Sequence, residues 1–331
     1  MFRQDRTNPS TAVSNWRGRH ESSKGWPSTA VSSWLNGGLF GVPFVYAEAA
    51  YFAGGTTGAL VDTVQKFAFS DDSRSTLATG LSSARNDLAG AANSGVAAYF
   101  AGGTSPDVAT VDKFTFADDS RTTLGTGLSD EMQGLAGAAN SGTAAYFAGG
   151  WNGAARVTTV DKFAFSDDGR TTLGTGLSTA RSVLGGAANS GTAAYFAGGY
   201  DGANATTVDK FAFSDDSRST LGTGLSAANR GLAGAANSGT AAYFAGGTVG
   251  TTVDKFAFSD DSRSTLGTGL SSSRANLAGA AESGTAAYFA GGGYAATIDK
   301  FAFSDDSRTT LGTGLSAALN YLAGAANSGV L

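Results

Sequence analysis

LAGAANSG, residues 322–329, is the sixth appearance of one short segment in this chain. The five earlier appearances begin at Leu88, Leu135, Leu184, Leu232 and Leu277, and in each AAYFAGG follows one residue later. AAYFAGG also occurs at residues 49–55, where no such segment precedes it. The orphan near the C-terminus and the missing partner at Ala49 are complementary. If the last segment zips onto the strand that starts at Ala49, the chain closes on itself and no sheet edge is left open at the seam.

Between these ends one pattern recurs: AAYFAGG, a variable gap, TVDKFAFSDDSRTTLGTGL, a second variable gap, then LAGAANSG. The glycine pairs begin at Gly54, Gly102, Gly149, Gly198, Gly246 and Gly291, and the F-x-F elements at Phe67, Phe114, Phe163, Phe211, Phe256 and Phe301. A spacing of about 45–49 residues belongs to propellers, solenoids or helical arrays. Glycine in a helix interior costs about 1 kcal/mol relative to alanine, and every segment here is crowded with Gly and Thr. Each copy divides instead into four short strands separated by turn chemistry. In blade order these are LAGAAN ended by NSG, AAYFAGG, TVDKFAF ended by SDDSR, and TTLGTGL. Ala and Gly dominate the first, as the crowded axis of a propeller demands. The paired Phe of the third share one face of their strand and fill the wedge between blades, each stabilising by about 2–3 kcal/mol. The expected architecture is all-β, a six-bladed propeller over residues 48–331 closed by the C-terminal strand, with an extended N-terminal arm over residues 1–47.

YFAGG closing a hydrophobic strand, the aromatic KFAF strand after it, and an arginine-containing turn before the first strand (SSARNDLAG, STARSVLGG) resemble the kelch repeat from Ala49 to Leu331. The usual Trp of the fourth kelch strand is replaced by Leu, as at Leu77 and Leu173, and the third-strand Tyr by Phe. The resemblance implies the propeller fold; function does not travel with it, because propellers host many activities.

Composition narrows the chemistry. The net charge of −5 argues against general nucleic-acid binding. With no Cys, disulfides, thiolate metal sites and thiol nucleophiles are excluded. No apolar run approaches the length of a membrane span, and the N-terminus lacks the apolar stretch of a signal peptide, so neither membrane insertion nor Sec-dependent export is expected. The single His20 lies outside the repeats, which removes histidine-based catalysis and metal clusters. AGG and GTGL lack the lysine and the strand-to-helix setting of a phosphate loop. The repeated SDDSR loosely resembles the Asp-box of sialidase propellers, but six like turns spread round a rim cannot converge on one substrate. They read as structural turns, with Asp accepting backbone bonds, Arg pairing with the neighbouring carboxylate, and Gly169 near the left-handed region. No enzyme, metal or cofactor is expected.

The copies differ in two places. After Gly-Gly they read TTGALVD, TSPDVA, WNGAARV, YDGANA, TVG and GYAA; before LAG they read SSARND, SDEMQG, STARSV, SAANRG, SSSRAN and SAALNY. In an up-and-down blade both stretches emerge on one face, while the invariant turns emerge on the other. Variable loops on a rigid scaffold are where recognition usually sits. The candidate binding residues are therefore Arg85, Glu131, Trp151, Asn152, Arg156, Arg181, Tyr200, Asp201, Asn204, Arg230, Arg274, Tyr294 and Tyr321, rich in the Tyr, Trp and Arg that anchor interfaces. The competing explanation is that these loops vary because nothing constrains them.

Residues 1–47 contain their own doublet, PSTAVSNW and PSTAVSSW, with five basic against two acidic side chains and three of the four Trp. Trp16, Arg17, Arg19, Trp26 and Trp34 suit an arm that docks on a partner, or a cap over one propeller face. Arm plus recognition propeller resembles the plan of bacteriophage fibre and tail-associated proteins. The expectation is a virion component assembled in the host cytoplasm. It would attach to other virion proteins through the arm and contact a host glycan or protein through the loop face, as a possible homo-oligomer. An intracellular kelch-type interaction scaffold is the alternative.

Overall fold

The structure, a computed structural model, describes residues 48–104 and 106–327. They form six four-stranded antiparallel sheets. Five blades are continuous in sequence. In blade 2, for example, the inner strand Ala89–Asn93 is followed by Ala97–Ala101, Val111–Thr115 and the outer Arg121–Thr123. Blades 3 to 6 repeat this over residues 136–172, 185–220, 232–265 and 278–310. Blade 1 is composite: the inner strand Ala323–Ala326 pairs with Ala49–Ala53, with Ala50 opposite Ala326 and Ala53 opposite Ala323. The expected C-terminal closure is what the structure contains.

Packing explains the repeat letter by letter. Side chains alternate along the second strand, so the Tyr of AAYFA faces the next blade and its Phe the preceding one. Tyr99 joins the cluster containing Ala139, Phe147 and Phe163 of blade 3, whereas Phe100 joins Tyr51 and Val64 of blade 1. The F-x-F pair points back across the same seam: Phe163 is fully buried, and Phe165 lies 5.1 Å from the Tyr99 ring. Six such clusters bind blade to blade.

A polar clasp sits over each apolar seam. The second Asp of SDDS receives both the Tyr hydroxyl and the Lys ammonium of the preceding blade. Tyr99 donates to Asp168 at 2.7 Å and Lys113 reaches it at 2.8 Å; the same set links Tyr51 and Lys66 to Asp119. Tyr288 and Lys300 of blade 6 grip Asp72 of blade 1 and complete the circle. Burial, and then the Asp168 charge and hydrogen bond, push the Tyr99 hydroxyl far above its ordinary range, so it remains a donor. These carboxylates are partly solvated, and such pairs stabilise by at most about 1 kcal/mol. The apolar seams beneath dominate the energy; the clasps set the angle between wedges.

Three details differ from the sequence reading. The outer strand is three residues long and begins with the arginine, as in Arg170–Thr172, rather than running through TTLGTGL. Beyond it the Gly of TGL presses on backbone of its own blade, and the Leu177 amide bonds the Thr158 carbonyl, outside the strand ladder. The left-handed turn residue is not Gly169 but Asp168, with φ 56°, and its counterparts in all copies. The turn arginine does not pair with the turn's own carboxylates: Arg74, Arg121, Arg170 and Arg308 donate across the seam to the Gly314, Gly80, Gly127 and Gly269 carbonyls. Arg218, Arg263 and Arg308 lie 3.6, 3.6 and 3.9 Å from the third-strand Asp209, Asp254 and Asp299. The first Asp of the motif behaves as expected; Asp167 accepts the Gly169 amide at 2.9 Å.

The inner strands meet at the axis through glycine. A Cβ on Gly186 would lie 2.1 Å from the Gly137 carbonyl oxygen, and the same overlap recurs from Gly137 to Gly90, Gly90 to Gly324, Gly324 to Gly279, Gly279 to Gly234 and Gly234 to Gly186. Gly186→Ala is expected to cost about 3 kcal/mol or more, at the upper end for overpacking. Gly174→Ala, where a Cβ meets no atom within 4 Å, should stay within about 0.5 kcal/mol of the parent. Urea unfolding of the two variants measures the difference.

Candidate binding face

The loops after the second and outer strands do share one face, and it divides into a structural layer and an exposed layer. The structural layer includes a collar round the axis. Asp87, Gly134, Val183, Gly231, Asn276 and Tyr321, the residues just before each inner-strand Leu, all take left-handed backbone with φ between 55° and 67°. Each amide donates to the carbonyl of the corresponding residue one blade back: Gly134 to Asp87 at 2.7 Å, Asn276 to Gly231 at 2.7 Å, and Asp87 to Tyr321 at 3.0 Å. Six backbone bonds thus run head to tail in a closed circle. Sequence reasoning missed this collar. Two glycines, an Asp and an Asn at this position hint at left-handed backbone, but Val183 and Tyr321 obscure the hint.

Three predicted anchors belong to the structural layer. Arg85, Arg181 and Arg274 are not surface anchors: they are 1%, 0% and 3% exposed. They form ion pairs of 2.9, 2.9 and 2.6 Å with the buried third-strand carboxylates of Asp112, Asp209 and Asp299. Burial pushes Asp209 up, but the hydrogen bonds of Thr220 and Ser178 and the Arg181 charge outweigh it and hold the carboxyl below its ordinary value. The position varies because several solutions fill one cavity. Met132 takes the arginine's place above Asp161, which keeps its bonds from Ser129 and Thr172. Leu319 takes it where the carboxylate is itself replaced, by Gln65, which accepts the Ser316 amide at 2.6 Å.

The exposed layer gathers the remaining candidates from blades 3 to 6. Trp151 and Tyr200 extend the inner ladders through bridges to Gln133 and Ser182, which fixes their backbones. Trp151 also bridges Arg156, closing a tight hairpin. The Arg156 guanidinium stands 5.5 Å from the Trp151 ring and 4.4 Å from the Tyr200 ring; Arg230 stands 4.4 Å from the same Tyr200. The fold therefore brings Trp151, Arg156, Tyr200 and Arg230 into one contiguous cation–aromatic cluster. Asn152 is tied to Asp130, and Asn204 to Thr248. Glu131 and Asp201 are exposed, and Tyr294 is the most exposed aromatic of the described residues at 54%. Tyr321 sits at the axial mouth. Burial raises its hydroxyl above the ordinary range, Asp87 and Tyr294 add to this, and Arg230 opposes it. Trp16, Arg17, Arg19, Trp26 and Trp34 lie outside the described residues.

Asp87 shares this mouth, and burial together with the Asp107 charge lifts its carboxyl to about 7. No protein-family model matches the chain, and no curated protein matches it.

Two outcomes follow for stability. Arg181→Ala should cost about 3–5 kcal/mol by stranding a buried carboxylate. Arg181→Met, which reproduces the Met132–Asp161 arrangement, should cost clearly less in the same denaturant titration. For Asp87, the folded state holds its proton more tightly than the unfolded chain. The penalty is therefore absent below about pH 4, grows as pH rises towards 7 and is constant above. Asp87→Asn, copying Asn276, should raise the melting temperature at pH 8 and leave it unchanged at pH 4.

Proposed function

We propose that this chain is a non-enzymatic recognition module, a fibre, tail or surface component of a virion that docks through residues 1–47 and contacts a host-surface ligand with the variable face of its propeller. The observation that carries this reading is the contrast between the two faces. On one, the NSG and SDDSR turns repeat from blade to blade and are engaged in interblade bonds, such as Gly142 to the Asn93 side chain and Lys113 to Asp168. On the other, copies that agree nearly everywhere else diverge in loops that assemble Trp151, Arg156, Tyr200 and Arg230. A face with its own chemistry on a scaffold of repeated chemistry is what binding, rather than folding, calls for.

The kelch likeness belongs to the same proposal. It is supported by the glycine pair that ends each second strand in left-handed backbone, such as Gly149 and Gly150, and by the buried third-strand Phe. The virion placement is supported by the organisation of the sequence, a Trp- and Arg-rich arm ahead of a tandem array.

The triple variant Trp151→Ala, Tyr200→Ala, Tyr294→Ala should keep a cooperative thermal transition and lose adsorption to host cells by at least about tenfold, the effect of removing interface aromatics. Removal of residues 1–40 should abolish co-sedimentation with particles while the propeller still melts cooperatively. Undiminished adsorption by the first, or undiminished incorporation by the second, defeats the corresponding half of the proposal.

A further inference from the structure

Arg156 and Arg230 differ from every other cation among the described residues. The six lysines of the described residues all pair with the clasp aspartates. The buried arginines pair with Asp112, Asp209 and Asp299. The outer-strand arginines donate to glycine carbonyls or threonine hydroxyls. Among the described residues, neither the Arg156 nor the Arg230 guanidinium has a hydrogen-bond acceptor or an ion-pair partner. Both instead stand against the Tyr200 ring, so the two charges are no more than about 9 Å apart, twice the distance of each from that ring. Like charges this close repel unless an anion joins them, and guanidinium forks match a planar carboxylate. The carboxylates nearby do not take that role: Asp130 is engaged by Asn152, and no ion pair reaches Asp87, Asp107 or Asp201 among the described residues.

We infer that Arg156 and Arg230, held against the Tyr200 ring, form a subsite for the carboxylate of an acidic saccharide, with the Trp151 ring receiving a C–H face of the sugar. This rests on the recognition reading above and names the ligand class for the same face. The surroundings decide between a saccharide and a polyanion. Asp107, Asp130, Glu131 and Asp201 all stand on the loops of this face. They repel a long run of negative charge and tolerate a single carboxylate carried on neutral, hydroxylated neighbours. An acidic peptide or a highly sulfated chain is therefore disfavoured.

Isothermal titration of the full chain with sialyllactose, with a hyaluronan tetrasaccharide, with lactose and with poly-L-glutamate tests this. At least one of the two carboxylated saccharides should bind, and lactose more weakly by about tenfold or more, the worth of one charge-assisted contact. Arg156→Gln and Arg230→Gln should each reduce that binding by a similar factor with unaltered melting temperature, and Arg156→Lys should recover part of it. Equal binding of lactose, preference for poly-L-glutamate, or indifference to both Gln variants overturns the inference. So does failure of both acidic saccharides at millimolar concentration. If the Gln variants adsorb to host cells as well as the parent while the triple aromatic variant does not, the carboxylate subsite is wrong and the recognition reading stands. If both sets adsorb normally, the recognition reading itself has failed.

Discussion

Around the axis six backbones approach so closely that a single methyl group has nowhere to go. Each inner strand places a residue near its start against the carbonyl of its neighbour, and only glycine satisfies that contact all the way round. The ring is therefore a mutual constraint rather than a sum of independent blades, since any one residue larger than glycine would push two wedges apart. Two further circles secure the same geometry. The head-to-tail backbone bonds of the collar hold the axis on the loop face. The Tyr–Lys–Asp clasps hold the rim on the turn face. Closure at blade 1 uses the same three contacts as every other seam, although its clasp joins Lys300 to Asp72, 228 residues apart.

The repeat also serves as its own substitution series. Opposite the third-strand acid, arginine, methionine, asparagine and leucine all occur in one molecule, at Arg85, Met132, Asn229 and Leu319. Leucine appears where the acid has become Gln65, so the loss of a buried cation accompanies the loss of a buried anion. Methionine appears above an intact Asp161, whose bonds from Ser129 and Thr172 suffice to hold it in place. Buried ion pairs repay their desolvation only with good geometry, which is why apolar or neutral replacements persist here. Part of the variation that looked like recognition in the linear sequence is thus repacking inside the wall.

What remains on the surface after that subtraction is narrower and more specific. Trp151, Arg156, Tyr200 and Arg230 come from loops of three consecutive blades, and two arginines share one aromatic ring without an acceptor among the described residues. A rigid wall positions them, because the loop backbones continue the inner ladders through Gln133 and Ser182. Preorganisation of this kind lowers the ordering cost of binding.

The sequence alone determined the number of blades, the order of strands and the closing partner, because spacing, residue size and turn chemistry act locally and repeat six times. It also showed which face is individual, since strand alternation decides on which side each loop emerges. It could not separate Arg181 from Arg230: both are arginines in variable loops, one residue apart in register. Arg181 occupies the inward position that Asn229 fills in the neighbouring loop, whereas Arg230, one residue later, faces outward although the Asp254 carboxylate is present behind Asn229. Which position is the inward one is decided by packing between strands. The collar, the seam-crossing clasps and the pairing of Arg156 with Arg230 on one ring have the same origin. Each joins residues of different blades, and such contacts exist only once the wedges have closed into a ring.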